Sequence, residues 1–374
     1  MGRDAHRGRR VTTGAPARIA LLGVGTVGSA VLARLAGLRG SGLELAYVGD
    51  SRRAYCPETA AGPRARLQPV GAALPLADLP ARLGEHHTRI VVDATASAAV
   101  AAALAGWLAR GVHVATACKL GQGGPLAQWC AIRDACARAG TRYGDRATVG
   151  AGLPLLDTLR ALQAGGDRIH GLAGVLSGSL AWLLDRHDGT VPFSSLVSQA
   201  RAAGYTEPDP CEDLSGADVR RKLLILARAA GVPLEEHHVE VAPVPREGPA
   251  DAHGPDNLAT LDGPMQRQLD DARRSGARLQ YVARLGRQAG RWRARIGLEA
   301  VPSGDPLAAG GATDNRVAIW SDRYRDRPVL IQGPGAGAAV TAAALLDDAL
   351  QIVREVARVA PGLNAAREPA LVPA

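Results

Sequence analysis

The chain reads as an α/β protein in two parts, a doubly wound parallel sheet followed by a second α+β domain with a mixed sheet. Three observations predict this. Short apolar strands alternate with helical stretches over roughly the first 145 residues, the pattern of a parallel sheet covered by helices. A glycine-rich turn, Gly23-Val-Gly-Thr-Val-Gly28, joins the first strand to the first helix. From Ala277 onward strands follow one another without helices between them, which calls for antiparallel or mixed pairing.

Taken in order, residues 18–22 read as the first strand, 27–38 as a helix, 43–48 as the second strand and 89–93 as a further strand. A helix over 96–110, a strand over 112–115 and a helix over 126–139 complete the first part. Gly150-Ala-Gly-Leu-Pro154 then opens a helix, with the proline suited to its first turn. A strand at 169–176 and helices at 179–186 and 194–203 follow, and a helix over 215–230 is closed by Gly231. Prolines, glycines and charges make residues 245–268 an exposed excursion. Strands at 277–285, 292–301, 316–321 and 329–332 lead through Gly333-Pro-Gly-Ala-Gly337 into a last helix over 340–359.

Aromatics make up 3% of the 374 residues, with one phenylalanine, Phe193, so the cores must be built from Leu, Val, Ile and Ala. The longest apolar candidate, residues 94–108, falls short of the ~20 residues that span a bilayer, and a soluble protein away from membranes is expected. The basic start Met1-Gly-Arg-Asp-Ala-His-Arg-Gly-Arg-Arg10 has no apolar stretch behind it, so it reads as a disordered tail rather than a secretion signal. Cys56, Cys118, Cys130, Cys136 and Cys211 are odd in number and lack CxxC spacing, which argues against disulfides and zinc and for a cytoplasmic location. The net charge of +8 is spread along the chain among 36 acids, and few aromatics are present to stack on bases, so nucleic acid is not the expected partner. The charge instead suits small anions such as a dinucleotide phosphate.

Of the 44 basic residues only Lys119 and Lys222 are lysines. Arginine keeps its proton at any ordinary pH, whereas an ammonium can be tuned until it gives one up, so the two lysines are candidates for chemistry. Their survival of an arginine-biased composition is the plain alternative.

Within the glycine turn, Gly23 permits the sharp bend, Gly25 lets backbone approach a pyrophosphate, and Gly28 allows close helix–strand packing, with the helix N-terminus facing the anion. The turn makes the first sheet Rossmann-type. After the second strand, Asp50 favours NAD, while Ser51, Arg52 and Arg53 behind it suit the 2′-phosphate of NADP. The balance leans to NADP with some use of both. Further on, five acids and a lysine fall within the sixteen positions from Glu207 to Lys222. Pro208 and Pro210 hold Glu207 in an extended loop, and Asp218 and Lys222 share a helix face at i,i+4. Such a cluster can bind an amino acid's ammonium and hand a proton to a nearby oxygen. Read alone, it is equally a capped, solvated helix start.

From Arg18 to about Val359 the chain resembles homoserine dehydrogenase, in a single-function form without a kinase half or an appended regulatory domain. The motifs are Gly23-Val-Gly-Thr-Val-Gly28, Val92-Asp-Ala-Thr95, Thr116-Ala-Cys-Lys119, Val149-Gly-Ala-Gly-Leu-Pro154, Gly174-Val-Leu-Ser-Gly-Ser-Leu180, Gly204-Tyr-Thr-Glu-Pro-Asp-Pro210, the stretch Asp213-Leu-Ser-Gly-Ala-Asp-Val-Arg-Arg-Lys-Leu-Leu-Ile-Leu226 and Gly335-Ala-Gly-Ala-Ala-Val-Thr-Ala-Ala343. The acidic segment is the most specific and the glycine turn the least.

The resemblance implies reversible conversion of aspartate 4-semialdehyde and homoserine with NADP or NAD. It implies Lys222 as proton donor and Lys119 as a lysine between cofactor and substrate, both catalytic, with Glu207 and Asp218 on the substrate. The cofactor is expected on Gly23, Gly25, Thr26, Val27, Gly28, Arg52, Thr95, Lys119 and Gly337, so that the last helix folds back on the first domain. The implied layout is a basic tail over 1–16, a dinucleotide domain over 17–148 completed by 338–360, a substrate and dimerisation domain over 149–337, and a flexible tail over 361–374. A homodimer is expected, as are backbone carbonyls of Val149, Ala151 and Leu153 on a monovalent cation such as sodium.

Two positions depart from the family pattern. Cys118 stands where the family usually has Asn, and Arg146 where many relatives carry an acid, which weakens the cation site or supplies its charge. Three alternatives accompany this reading. They are action on a related semialdehyde, a thiolate attack by Cys118 on an aldehyde, and a cofactor-binding sensor without turnover.

Overall fold

Strands apolar at nearly every position must be covered on both faces, and the first half of the chain is built from such strands. A computed structural model describes residues 16–359 except 39, 60–66, 86, 249–253, 255–256 and 310–312. The tails expected over 1–16 and 361–374 lie, residue 16 apart, outside the described residues.

The first part runs β1 (Ala17–Leu22), α1 (Thr26–Gly37), β2 (Leu43–Gly49), β3 (Arg53–Tyr55), β4 (Pro69–Ala72), α2 (Leu79–Leu83), β5 (Arg89–Asp93), α3 (Ala98–Ala109), β6 (Val112–Thr116), α4 (Leu120–Gly123), α5 (Leu126–Ala139) and β7 (Tyr143–Gly144). These strands form one sheet in the order β4-β3-β2-β1-β5-β6-β7. From β2 to β7 all pairs are parallel, while β3 and β4 add antiparallel to the β2 edge. That edge corrects the expectation of a wholly parallel sheet. Strands this short, with β4 exposed along its length, leave no apolar alternation to read. Leu22 lies level with Gly49 and Asp93, and Asp93 with Thr116, so the turns after β1, β2, β5 and β6 open on one rim.

The second part comprises α6 (Leu155–Ala164), β8 (Ile169–Val175), α7 (Gly178–Arg186), α8 (Phe193–Ala202), α9 (Pro210–Leu214), α10 (Ala217–Ala229), β9 (Val239–Val241), α11 (Asp262–Arg274), β10 (Ala277–Gln288), β11 (Arg291–Pro302), β12 (Asp314–Ser321) and β13 (Val329–Pro334). Their sheet, ordered β13-β12-β8-β10-β11-β9, is antiparallel except where β9 runs parallel to β11. Leu159, Leu180, Leu223 and Leu226 of the helices pack with Leu285, Ile296 and Ile319 of the sheet. The last helix, α12 (Ala338–Val359), returns to the first sheet, where its Leu345 and Ile352 share a core with Ile19, Leu21 and Val31.

Three local expectations are corrected. The excursion over 245–268 contains the start of α11, which buries Pro264, Met265, Leu269 and Ala272. Pro264 stands in the first turn, where its missing N–H costs nothing. Pro210 opens α9 instead of extending the Glu207 loop, with Asp209 as cap accepting the Cys211 N–H at 2.9 Å. Pro154 precedes α6 as its cap residue and lies outside the first turn.

Candidate active site

At the rim of the first sheet Gly23 adopts φ +89°, and a side chain on Gly28 would collide with the Gly23 carbonyl. Both glycines are therefore required by the turn. Gly25 caps α1 with open space around it, Thr26 is exposed and Val27 is half-buried, so the N-terminus of α1 is open to an anion. A Cβ on Gly23 would come 3.0 Å from Cγ2 of Thr95, which brings Thr95 beside the glycine turn.

Asp93, fully buried, organises the neighbouring turns. Its Oδ1 accepts the Thr95 N–H at 3.0 Å and the Thr95 hydroxyl at 2.7 Å, and its Oδ2 accepts the Thr116 hydroxyl at 2.8 Å. Thr116 in turn accepts the Cys118 N–H at 2.9 Å. One carboxylate thus joins the Thr95 turn to the segment leading to Lys119. Burial raises its pKa against the pull of these hydrogen bonds. The residue was missed as functional; its place at a strand end inside Val92-Asp-Ala-Thr95 is the signal.

Beyond β2, both Asp50 oxygens are engaged. Oδ1 accepts the N–H groups of Arg52 and Arg53, each at 2.8 Å, and Oδ2 accepts the Tyr55 hydroxyl at 2.6 Å. The Arg52 and Arg53 side chains are left exposed.

The two lysines converge. Lys119 Nζ lies 3.3 Å from Asp218 Oδ1, and Lys222 Nζ lies 2.9 Å from Asp218 Oδ2. Lys222, with 11% of its side chain exposed, also donates to the Leu176 carbonyl at 2.7 Å. Burial works against the Asp218 charge, but the Lys222 and Lys119 ammoniums outweigh it and hold the carboxyl well below the usual carboxylate range. An ammonium has three N–H donors. With two directed at Leu176 and Asp218, Lys222 keeps one for a ligand.

Glu207 sits in an exposed loop pinned by Asp213, whose Oδ2 accepts the Glu207 N–H at 2.9 Å and whose Oδ1 accepts the Ser179 hydroxyl at 2.7 Å. The Glu207 carboxylate itself makes no hydrogen bond or ion pair among the described residues. Asp213 is a second residue whose role sequence reading passed over, hidden among four other acids.

Gly337 (φ +129°) ends the glycine turn, and its carbonyl accepts the Thr341 N–H and hydroxyl at 3.0 and 2.8 Å. The 149–153 segment lies close by, a Cβ on Gly152 reaching 3.5 Å from the Val340 carbonyl. In that segment Gly150 and Ala151 are both left-handed, at φ +73° and +53°. Leu153 O accepts the Leu155 N–H at 2.8 Å, while the Val149 and Ala151 carbonyls take no hydrogen bond among the described residues. Free buried carbonyls suit a hard cation. Arg146 spends its guanidinium elsewhere, on Asp157, Asp348 and Gln351. No group of three or more His, Cys, Asp or Glu able to hold a metal occurs among the described residues.

Cys118 is buried, and burial followed by the Asp93 charge pushes its thiol up to about 11. A thiol so held is mostly protonated near neutrality, which disfavours the thiolate route.

Residues 154–350 match the family model for homoserine dehydrogenase, and residues 23–144 match that for homoserine dehydrogenase, NAD binding domain. A homoserine dehydrogenase of Emericella nidulans is 30% identical to the chain, over 91% of this chain and 100% of that protein.

The chain belongs to the homoserine dehydrogenase family.

Members are NAD(P)-dependent oxidoreductases. The bifunctional aspartokinase/homoserine dehydrogenase 2 of Escherichia coli is 44% identical over 69% of this chain, which spans only 32% of that protein. About a third of the length of such bifunctional relatives is thus represented here. Among solved structures, a Candida auris protein of unknown function superposes with TM-score 0.81 at 31% identity, over 91% of this chain and 98% of that one. A hyperthermophilic archaeal homoserine dehydrogenase in complex with NADPH superposes with TM-score 0.70 over 90% of this chain and 98% of that one. At 19% identity it speaks for the fold alone.

Proposed function

We propose that this chain catalyses the reversible NAD(P)-dependent reduction of L-aspartate 4-semialdehyde to L-homoserine, with Lys222 as the proton donor. The observation that carries the reading is the convergence of the only two lysines of the sequence on one carboxylate, with a Lys222 N–H to spare. The bound nicotinamide supplies the hydride. As negative charge develops on the aldehyde oxygen, the Lys222 ammonium stabilises it and completes the reduction by transferring its proton. Asp218 holds both ammoniums in register, Lys119 lies between cofactor and substrate, and the unengaged Glu207 carboxylate takes the substrate's ammonium group.

Residues 17–148 with 338–360 form the proposed dinucleotide unit, with contacts from Gly23, Gly25, Thr26, Val27, Gly28, Thr95 and Gly337. Residues 149–337 form the substrate and dimerisation unit of a cytoplasmic homodimer. Engagement of both Asp50 oxygens, with Arg52 and Arg53 exposed, supports a preference for the 2′-phosphate of NADP. A monovalent cation such as sodium would be held by the carbonyls of Val149, Ala151 and Leu153, where it would brace the turn beside α12. Among the described residues no helix is long and apolar enough to cross a membrane.

The test follows the absorbance of reduced nicotinamide on adding aspartate 4-semialdehyde. Oxidation of NADPH faster than NADH is expected, and oxidation of neither overturns the assignment.

A further inference from the structure

α10 carries more than Asp218 and Lys222. Arg221, Ile225 and Arg228 recur on it at three- and four-residue spacing and so share a face. α4 lies against that face: a Cβ on Gly123 would come within 2.9 Å of the Arg221 carbonyl oxygen and 3.3 Å of Ile225. At one end of this seam Lys119, the cap residue just before α4, meets Asp218. At the other end Arg228, with 1% of its side chain exposed, donates from Nη1 to the carbonyls of Gln122 and Gly124, the latter at 2.7 Å. Its Nε and Nη2 donate to the Leu234 carbonyl at 3.2 and 2.8 Å. The Glu235 carboxylate stands 3.8 Å from Arg228 and accepts the Leu126 N–H that opens α5 at 3.0 Å.

Burying a guanidinium without a close carboxylate is costly, and burial pulls the Arg228 pKa downward. What the fold gains is a set of bonds to carbonyls at the end of α4 that no intrahelical N–H satisfies. Arg228 lies about 9 Å along the helix axis from Lys222 at 1.5 Å per residue, and its donors all point into protein. Besides its place on α10, its contact with the Lys119 side of the centre runs through the end of α4.

On the reading that Lys119, Asp218 and Lys222 form the reaction centre, we propose that Arg228 is a positioning residue: with Gly123 it latches α4 to α10 and so sets where the Lys119 ammonium stands relative to Asp218 and Lys222. Because Lys119 and the Lys222 helix come from opposite sides of the seam, slippage there changes the geometry of the centre without touching the glycine turn. A misplacement of about 1 Å is enough to cost on the order of 100-fold in rate.

R228K and G123A test this in the full-length enzyme. Both are expected to lower kcat at least tenfold while the KM for NADPH stays within twofold of wild type. The discriminating readout is the same R228K substitution in a D218N background. A latch acting through the Lys119–Asp218 contact has little left to lose there, so the further loss should be under threefold. Equal fractional losses in both backgrounds, or a folded R228K with wild-type kcat, overturn the proposal. Hydrogen exchange at residues 120–124 reads the seam without turnover. Exchange at least tenfold faster in R228K is expected, and unchanged exchange overturns the latch. Should wild type fail to oxidise NADPH, the assigned reaction falls, and the exchange result still judges the latch by itself.

Discussion

Two charge clusters join the helices of the two sheets, and they are built from different cations. At one, Lys119 and Lys222 share Asp218. At the other, Arg160 grips the fully buried Asp145 with two nitrogens, and Arg146 spreads over Asp157, Asp348 and Gln351. Every nitrogen of Arg146 that can donate sideways is engaged, whereas Lys222 keeps a donor in hand. A guanidinium holds its proton and binds carboxylates in a fixed fork, while an ammonium is a compact acid that can part with a proton. On the proposed reading the difference teaches that arginine stands where charge holds structure, and that the lysines stand together at the centre where Lys222 gives up its proton.

That contrast can be broken or sharpened by substitution. Removing the shared charge with D218N should have the largest effect. It leaves two ammoniums without their common partner and should lower kcat on the order of 100-fold, measured by steady-state turnover. At the rim of the first sheet, R52A should raise the KM for NADPH about tenfold by loss of a charge-assisted contact and leave the KM for NADH unchanged. The reciprocal swap at the arginine cluster, R146K, should keep kcat within threefold of wild type but destabilise the fold by about 1–2 kcal/mol through lost hydrogen bonds, read by denaturant unfolding.

A further effect, on stability alone, concerns pH. Burial, with the nearby Asp145 charge, pushes the Asp348 carboxyl up to about 7 despite Arg146. The folded chain then keeps a proton between about pH 4 and 7 that the unfolded chain has released, so this contribution to stability is present at low pH and lost as pH rises. Between pH 5 and 8, D348N should lose about 2 kcal/mol less stability than wild type, as urea titrations at the two pH values will reveal.

Much of this could be read before the structure because it rests on local pattern. Short apolar runs located β1, β5 and β6 and set off the helices between them, and the scarcity of lysine singled out Lys119 and Lys222. The antiparallel edge of β3 and β4 was illegible because exposed strands of three and four residues carry no burial signal. α11 was hidden because its four buried residues, one of them a proline, are scattered among charges. In the site, the glycines followed from the turn they build, while Thr95 came only with the family resemblance. The work of Asp93, Asp213 and Arg228 depends on which backbone groups tertiary packing brings within reach, and no spacing along the chain encodes that.

The most direct trial of the account is the turnover of K222R in protein that still binds NADPH as wild type does. Arginine preserves the charge and can hydrogen-bond an oxyanion but cannot give up a proton, so kcat below about one hundredth of wild type is predicted. Turnover within a few-fold of wild type would contradict proton donation by Lys222, and with it the division of labour between the two clusters.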